Sequence, residues 1–185
     1  DSLGAVIGSI LAYLLWQGGM DFRMIFIVAG IVAFVALLPL IPVKESFKSP
    51  VSCLRPSLSN LSPDLGHFVA IASLFALGNF SYMFFILRAQ ELFTGKMAIG
   101  APLLLYVLFN LVYTFFSIPS GAWSDRVGRK KVLTVGYLLF ALVSFGFALV
   151  SSAPGLVLLF AFYGLVFAIV DGAERAFVSD LCRTG

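Results

Sequence analysis

The stretch Gly121–Leu133, GAWSDRVGRKKVL, lies between two long apolar runs, and four of the six residues from Arg126 to Lys131 are basic. Only 11% of the chain is charged, so a third of its 12 Lys and Arg sit in one short turn. The surroundings explain the setting. Hydrophobic residues make up 61% of the 185, mean hydropathy is +1.04, and 20 residues are Phe. A soluble domain of this length keeps a large share of its surface in water and could not hide so much apolar area. Apolar runs of about 18 or more residues instead cross a bilayer core roughly 30 Å thick. The chain reads as an all-α integral membrane protein with several spans.

Charged residues, Pro and Gly punctuate the runs and predict helices at 3–17, 24–42, 67–90, 99–122, 132–150 and 155–173. The first is short for a span and opens at Asp1, so the chain is expected to be a fragment of a longer protein. Alternate connections, 43–66 and 123–131, and the tail after 173 hold Lys44, Lys48, Arg55, Arg126, Arg129, Lys130, Lys131, Arg175 and Arg183. The opposite connections, 18–23, 91–98 and 151–154, hold only Arg23 and Lys96, with Arg88 near an outer helix end where it can snorkel. Basic residues collect on the cytoplasmic side of membrane proteins, so the turn faces the cytoplasm. The net charge of +3 therefore reports topology and does not point to nucleic acid. Basic clusters beside a span also attract anionic lipids.

Cys53 and Cys182 both fall on the reducing side and pair with no metal-ligand neighbour, which predicts free thiols and no metal site. Residues 43–66, VKESFKSPVSCLRPSLSNLSPDLG, form the one long polar segment, too rich in Ser and Pro to build a core. It reads as a linker that divides two helices from four.

Within the basic turn, Gly121 allows a close approach or bend, and Gly128 tolerates the positive φ of a tight reversal. Asp125 is placed to accept charge-assisted hydrogen bonds or to cap a helix N-terminus. The pattern Gly121, Asp125, Arg126, Gly128, Arg129, Lys130 resembles the cytoplasmic signature loop of the major facilitator superfamily of secondary transporters. That loop joins helices 2 and 3, with a second copy between helices 8 and 9. The resemblance implies a twelve-helix bundle built from repeated halves, with a long cytoplasmic linker between helices 6 and 7. Counting from the linker, the chain resembles helices 5 to 10, about half of the bundle. Residues 1–42 would be the last two helices of the N-terminal half, 43–66 the linker, and 67–185 the first four helices of the C-terminal half.

The opening DSLGAVIGS carries Gly4 and Gly8 at a small-x-x-x-small spacing suited to close helix packing. It resembles the Gly-rich helix 5 motif of drug antiporters in the superfamily, although Ser9 stands where that motif has Pro, and Ala12 and Tyr13 where it has glycines. Multidrug efflux is thereby suggested. In the family the signature loop latches onto a helix of the opposite half. By pseudo-symmetry Asp125 and Arg129 would meet the helix start near Ser2 to Gly4 and bias the inward–outward equilibrium.

Asp171 and Arg175 are spaced i,i+4 and suit an ion pair on one helical face. They either mark the membrane exit or join a cytoplasmic charge network with Asp125, Arg126 and Arg129. For a substrate cavity the candidates are Asn79 and Tyr82 beside Gly78, where a helix can loosen. Tyr106, Asn110, Tyr113 and Ser117 share one helical face, and Tyr163 sits near mid-span. Amides and tyrosines of this kind either line a cavity for amphipathic organic solutes or tie helices together by hydrogen bonds.

No Asp or Glu stands at the middle of a predicted span: Asp21 and Glu91 lie at outer connections and Asp171 near a cytoplasmic end. The coupling ion, with protons the leading choice, is therefore unread in the spans. His67, the single histidine, reads as an interfacial residue. With one His and no H-E-x-x-H or G-x-S-x-G motif, an enzyme is not expected, nor is any cofactor. The expected partners are a small-molecule substrate and the bilayer of the cell membrane, with a monomer at full length. A facilitator, or a non-transporting receptor or scaffold on the same fold, is the alternative.

Overall fold

The computed structural model describes residues 2–37, 63–79 and 82–184. Cys53 and the linker up to residue 62 lie outside the described residues, as does the side chain of Cys182. The described residues form α1 (Ser2–Gln17), α2 (Phe22–Leu37), α3 (Pro63–Gly78), α4 (Tyr82–Glu91), α5 (Met97–Val127), α6 (Arg129–Leu149) and α7 (Ala153–Thr184). Contacts divide the chain into two compact units, residues 1–13 with 62–185, and residues 14–61. In the second unit a turn around Gly19 separates the end of α1 from α2.

Four segments are long and apolar enough to cross a membrane: 65–91, 97–127, 129–149 and 153–181. Their outer faces are bare hydrocarbon, with Ile118 82% and Leu149 81% exposed, an arrangement stable in lipid and not in water. Within the expected 67–90 helix the described residues form α3 up to Gly78 and α4 from Tyr82, and Asn79 is the one described residue between them that is not helical.

Three other boundaries move, for one physical reason. Helices do not stop where hydropathy does, provided that polar side chains find partners. α5 runs five residues past the expected 122 and takes in Asp125 and Arg126. α6 starts at Arg129, so the supposed loop shrinks to Gly128. α7 continues from the expected 173 to Thr184.

The core of the larger unit is the packing of α7 against α5 and α6, with α4 on α5 and α3 on α7. Tyr163 and Phe160, each 1% exposed, occupy its centre. The Tyr163 ring meets Phe85, Phe109 and Phe167 at centroid separations of 4.7 to 5.1 Å, mostly edge to face. Glycines set how closely the helices come. A Cβ added to Gly164 would lie 2.6 Å from the Phe109 carbonyl oxygen, so the α5–α7 contact needs the missing side chain. On α6, Gly136 faces Val170 and Gly146 faces Leu159, one antiparallel register that also brings Arg129 to Ala176. By contrast, nothing lies within 4 Å of a Cβ built on Gly4 or Gly8, so the close packing expected there is carried instead by Gly136, Gly146 and Gly164.

Arg88 does more than snorkel. Its guanidinium donates to the carbonyls of Phe147 at 3.4 Å and Val150 at 3.2 Å, and pairs with Glu91 at 2.7 Å. It thereby ties the end of α4 to the carbonyl-rich C-terminus of α6, where a cation is favoured.

Candidate functional site

The basic turn is a one-residue hinge between two helices. Gly128 has φ 103°, a conformation that side-chain-bearing residues rarely adopt, and its N–H closes α5 on the Ser124 carbonyl. Asp125, in the last turn of α5, does not cap α6; the N-cap position belongs to Gly128, with no side-chain cap bond. Asp125 instead contacts Arg129 at 3.4 Å, a pair made possible by the tight turn.

Arg129 is the centre of the cluster. It also pairs with Asp180 on α7 at 2.6 Å and donates to the Ala176 carbonyl. Ala176 and Asp180 are i,i+4 on one face of α7, so both reach the same guanidinium. Asp180 was missed by sequence reasoning because spacing along α7 does not say which residue of α6 it meets. Arg126 takes no part in this cluster among the described residues. The Asp171–Arg175 pair forms at 2.8 Å, but it is a separate group: Asp171 accepts from the Tyr113 hydroxyl at 2.9 Å. Among the described residues no hydrogen bond or ion pair links it to Asp125 or Arg129.

Glu174, one turn further along α7, accepts from the Tyr137 hydroxyl at 2.6 Å, and the Tyr137 ring stacks on Phe75 at 4.1 Å. Tyr137 lies eight residues along α6 from Arg129, roughly 12 Å deeper in the bundle at 1.5 Å per residue. Asp171 and Glu174 follow directly on the charge-free run 153–170 of α7. Asp171 and Glu174 form an i,i+3 pair, a signal that could have marked one face of a continuing helix.

The six cavity candidates separate. Asn79, Asp171 and Glu174 line a small cavity of about 100 Å³ between α3 and α7, with Phe75, Phe167 and Val170. Tyr163 reaches Asn79 Oδ1 with its hydroxyl at 3.4 Å but is otherwise sealed in the aromatic core. Asn110 is 3% exposed and donates to the Tyr106 carbonyl of its own helix. Tyr82 and Tyr106 stack at 5.4 Å, joining α4 to α5, and Ser117 bonds the Thr114 carbonyl. Tyr113 is the hydroxyl donor to Asp171. At this volume the cavity has room for waters and not for a drug-sized solute. His67 is exposed at the start of α3. Among the described residues no group of three or more His, Cys, Asp or Glu is placed to hold a metal ion.

Helices long and apolar enough to cross a membrane, with bare hydrocarbon on their outer faces, define a multi-pass helical membrane protein. The chain belongs to the Major Facilitator Superfamily, whose family model matches residues 1–184. It is 45% identical over 188 residues to an uncharacterized MFS-type transporter of Methanocaldococcus jannaschii, an alignment covering 98% of this chain and 47% of that relative. The chain therefore spans about half the length of the relative it matches. No solved structure matches significantly. Family membership bears out the expectation that the protein is not an enzyme.

Proposed function

We propose that this chain is the middle of a secondary transporter that moves small organic solutes out of the cell by alternating access. Residues 1–42 end one half of the bundle, 43–66 link the halves, and 67–185 begin the other. The observation that carries the reading is the bridging of Asp125 on α5 and Asp180 on α7 by Arg129 at the α6 start. The two acids are 66% and 55% exposed, and exposed pairs contribute only about 0.2–1 kcal/mol each. Such contacts can break and re-form in each cycle, as a latch requires. Asp125 and Arg129 bias the inward–outward equilibrium, and Gly128 is the hinge.

Proton coupling runs through Asp171 and Glu174. Each acid follows the charge-free run of α7 and keeps a tyrosine donor in reach. Asn79, with Tyr82 and Tyr106 above it, forms the solute-facing side in the full-length protein.

The test uses the full-length protein in proteoliposomes with an imposed pH gradient, an internal pH dye, and drugs, sugars and organic acids added singly. Solute-triggered proton movement of antiport sign is the expected result. Tracer flux with a flat dye trace would make the protein a facilitator and remove the coupling role. The latch reading fails if Asp125→Asn leaves both transport rate and cysteine accessibility of the two faces unchanged.

A further inference from the structure

Two clefts meet at the N-terminus of α6 and share Lys130 and Phe177. The first, about 480 Å³, is lined in addition by Ser124, Asp125, Val127, Gly128, Arg129, Lys131 and Asp180. The second, about 410 Å³, runs between α3, α6 and α7 over Phe68, Ile71, Leu133 and Leu181, with His67, Thr134 and Tyr137 also in its wall.

The first cleft is short of negative charge. Its two acids, Asp125 and Asp180, are both drawn to Arg129. Lys130 and Lys131 enter no ion pair among the described residues. α6 begins without a side-chain cap, so its first N–H groups and the positive end of its dipole are directed to this cleft. Ser124 adds an independent sign of a missing ligand. It is 3% exposed and lines the cleft, and its Oγ has no hydrogen-bond partner. A buried hydroxyl without a partner costs free energy that an oxyanion in the cleft would recover.

We propose that the double cleft seats one anionic phospholipid of the cytoplasmic leaflet. Its phosphate lies at the α6 N-terminus against Lys130, Lys131 and the Ser124 hydroxyl, and an acyl chain lies in the apolar groove on the other side of Lys130. The phosphate seat alone would suit any small oxyanion. The adjoining groove decides the source, because an inorganic anion has no use for apolar walls and a lipid chain does. The basic-side-in topology puts the site at the level of the anionic headgroups. A bound lipid would set the cost of opening the Gly128 hinge through the charge content of the membrane.

The test is lipid binding to the purified full-length protein, read by native mass spectrometry. Dioleoyl phosphatidic acid and dioleoyl phosphatidylcholine are titrated, with inorganic phosphate as competitor. Phosphatidic acid should bind well above phosphatidylcholine. The double variant Lys130→Gln/Lys131→Gln should lose roughly thirtyfold in affinity for it, two surface cations being removed. Both lysines are exposed, so folding is not at stake. Ile71→Trp, which fills the groove and leaves the lysines in place, should weaken phosphatidic acid while leaving inorganic phosphate competition as before. Equal binding of both lipids, or indifference to the lysine pair, would overturn the proposal. Displacement of phosphatidic acid by inorganic phosphate at matching concentration, with no effect of Ile71→Trp, would make the seat a free-anion site and overturn the lipid assignment.

Discussion

Arg129, the first residue of α6, and Asp180, near the end of α7, meet at 2.6 Å. Their meeting depends on the antiparallel register in which Gly146 faces Leu159 and Gly136 faces Val170. The contact is thus a readout of helix packing as well as the latch proposed above. Asp180→Asn should lower stability by less than about 1 kcal/mol, since the carboxylate is more than half exposed. Arg129→Ala should cost more, because Asp125, Asp180 and the Ala176 carbonyl all lose their donor. Melting curves of the full-length protein check the order. Cysteine labelling at both faces checks the latch, where a shift of about fivefold in the accessibility ratio corresponds to 1 kcal/mol of coupling. A stability loss with no labelling shift would assign the pair to packing alone.

Gly128→Ala should be the most damaging single-methyl change in the hinge. A side chain at φ 103° stores roughly 1–3 kcal/mol of strain, with no steric neighbour needed. Gly121→Ala, at a helical position where an added Cβ meets nothing within 4 Å, should be neutral or slightly stabilising. Thermal unfolding of the two variants side by side separates backbone strain from motif membership. Equal losses would show that the motif glycines act through something other than local conformation.

The α5–α7 contact predicts a second glycine contrast. Gly164→Ala places a methyl 2.6 Å from the Phe109 carbonyl oxygen and 3.0 Å from the Val112 Cβ, neither of which can swing aside as a flexible side chain would. Overpacking of this kind costs typically about 1–3 kcal/mol. Gly172→Ala, on the same helix with nothing within 4 Å, should leave the melting temperature unchanged within error. A neutral Gly164→Ala would mean that α5 and α7 stand farther apart than described.

Glu174→Gln keeps the shape of the side chain and removes its charge. If Glu174 carries a proton in the cycle, solute-triggered pH change should fall by tenfold or more in the proteoliposome assay, a loss of about 1.4 kcal/mol or more in transition-state terms. Tyr137→Phe, which removes the hydroxyl donating at 2.6 Å, should retain transport with an altered pH profile. Retained proton movement in Glu174→Gln would move the coupling role to Asp171 or to another part of the full-length protein.

Some of this could be read directly. Apolar runs located the four segments that, among the described residues, are long and apolar enough to cross a membrane, because transfer into lipid is a local property of some twenty residues. The offsets of Gly121, Asp125, Gly128 and Arg129 identified the family for the same reason. Boundaries at Val127, Arg129 and Thr184 were not legible in this way. Asp125, Asp171 and Glu174 look like membrane exits on a hydropathy scale, yet each is accommodated within a continuing helix by Arg129, Tyr113 or Tyr137. The cavity candidates illustrate the same limit. Helical spacing put Tyr106, Asn110 and Tyr113 on one face, but spacing does not say what that face meets.

By itself, then, the sequence determined a membrane-embedded helical chain and its family. These follow from composition and from a motif of a dozen residues. Tertiary structure decided which charges meet. Arg129 takes Asp180 and not Asp171, Asp171 takes Tyr113, and Glu174 takes Tyr137. The physical reason is that partners far apart in sequence are chosen by helix register, and the register is set by where Gly136, Gly146 and Gly164 let neighbouring helices come close.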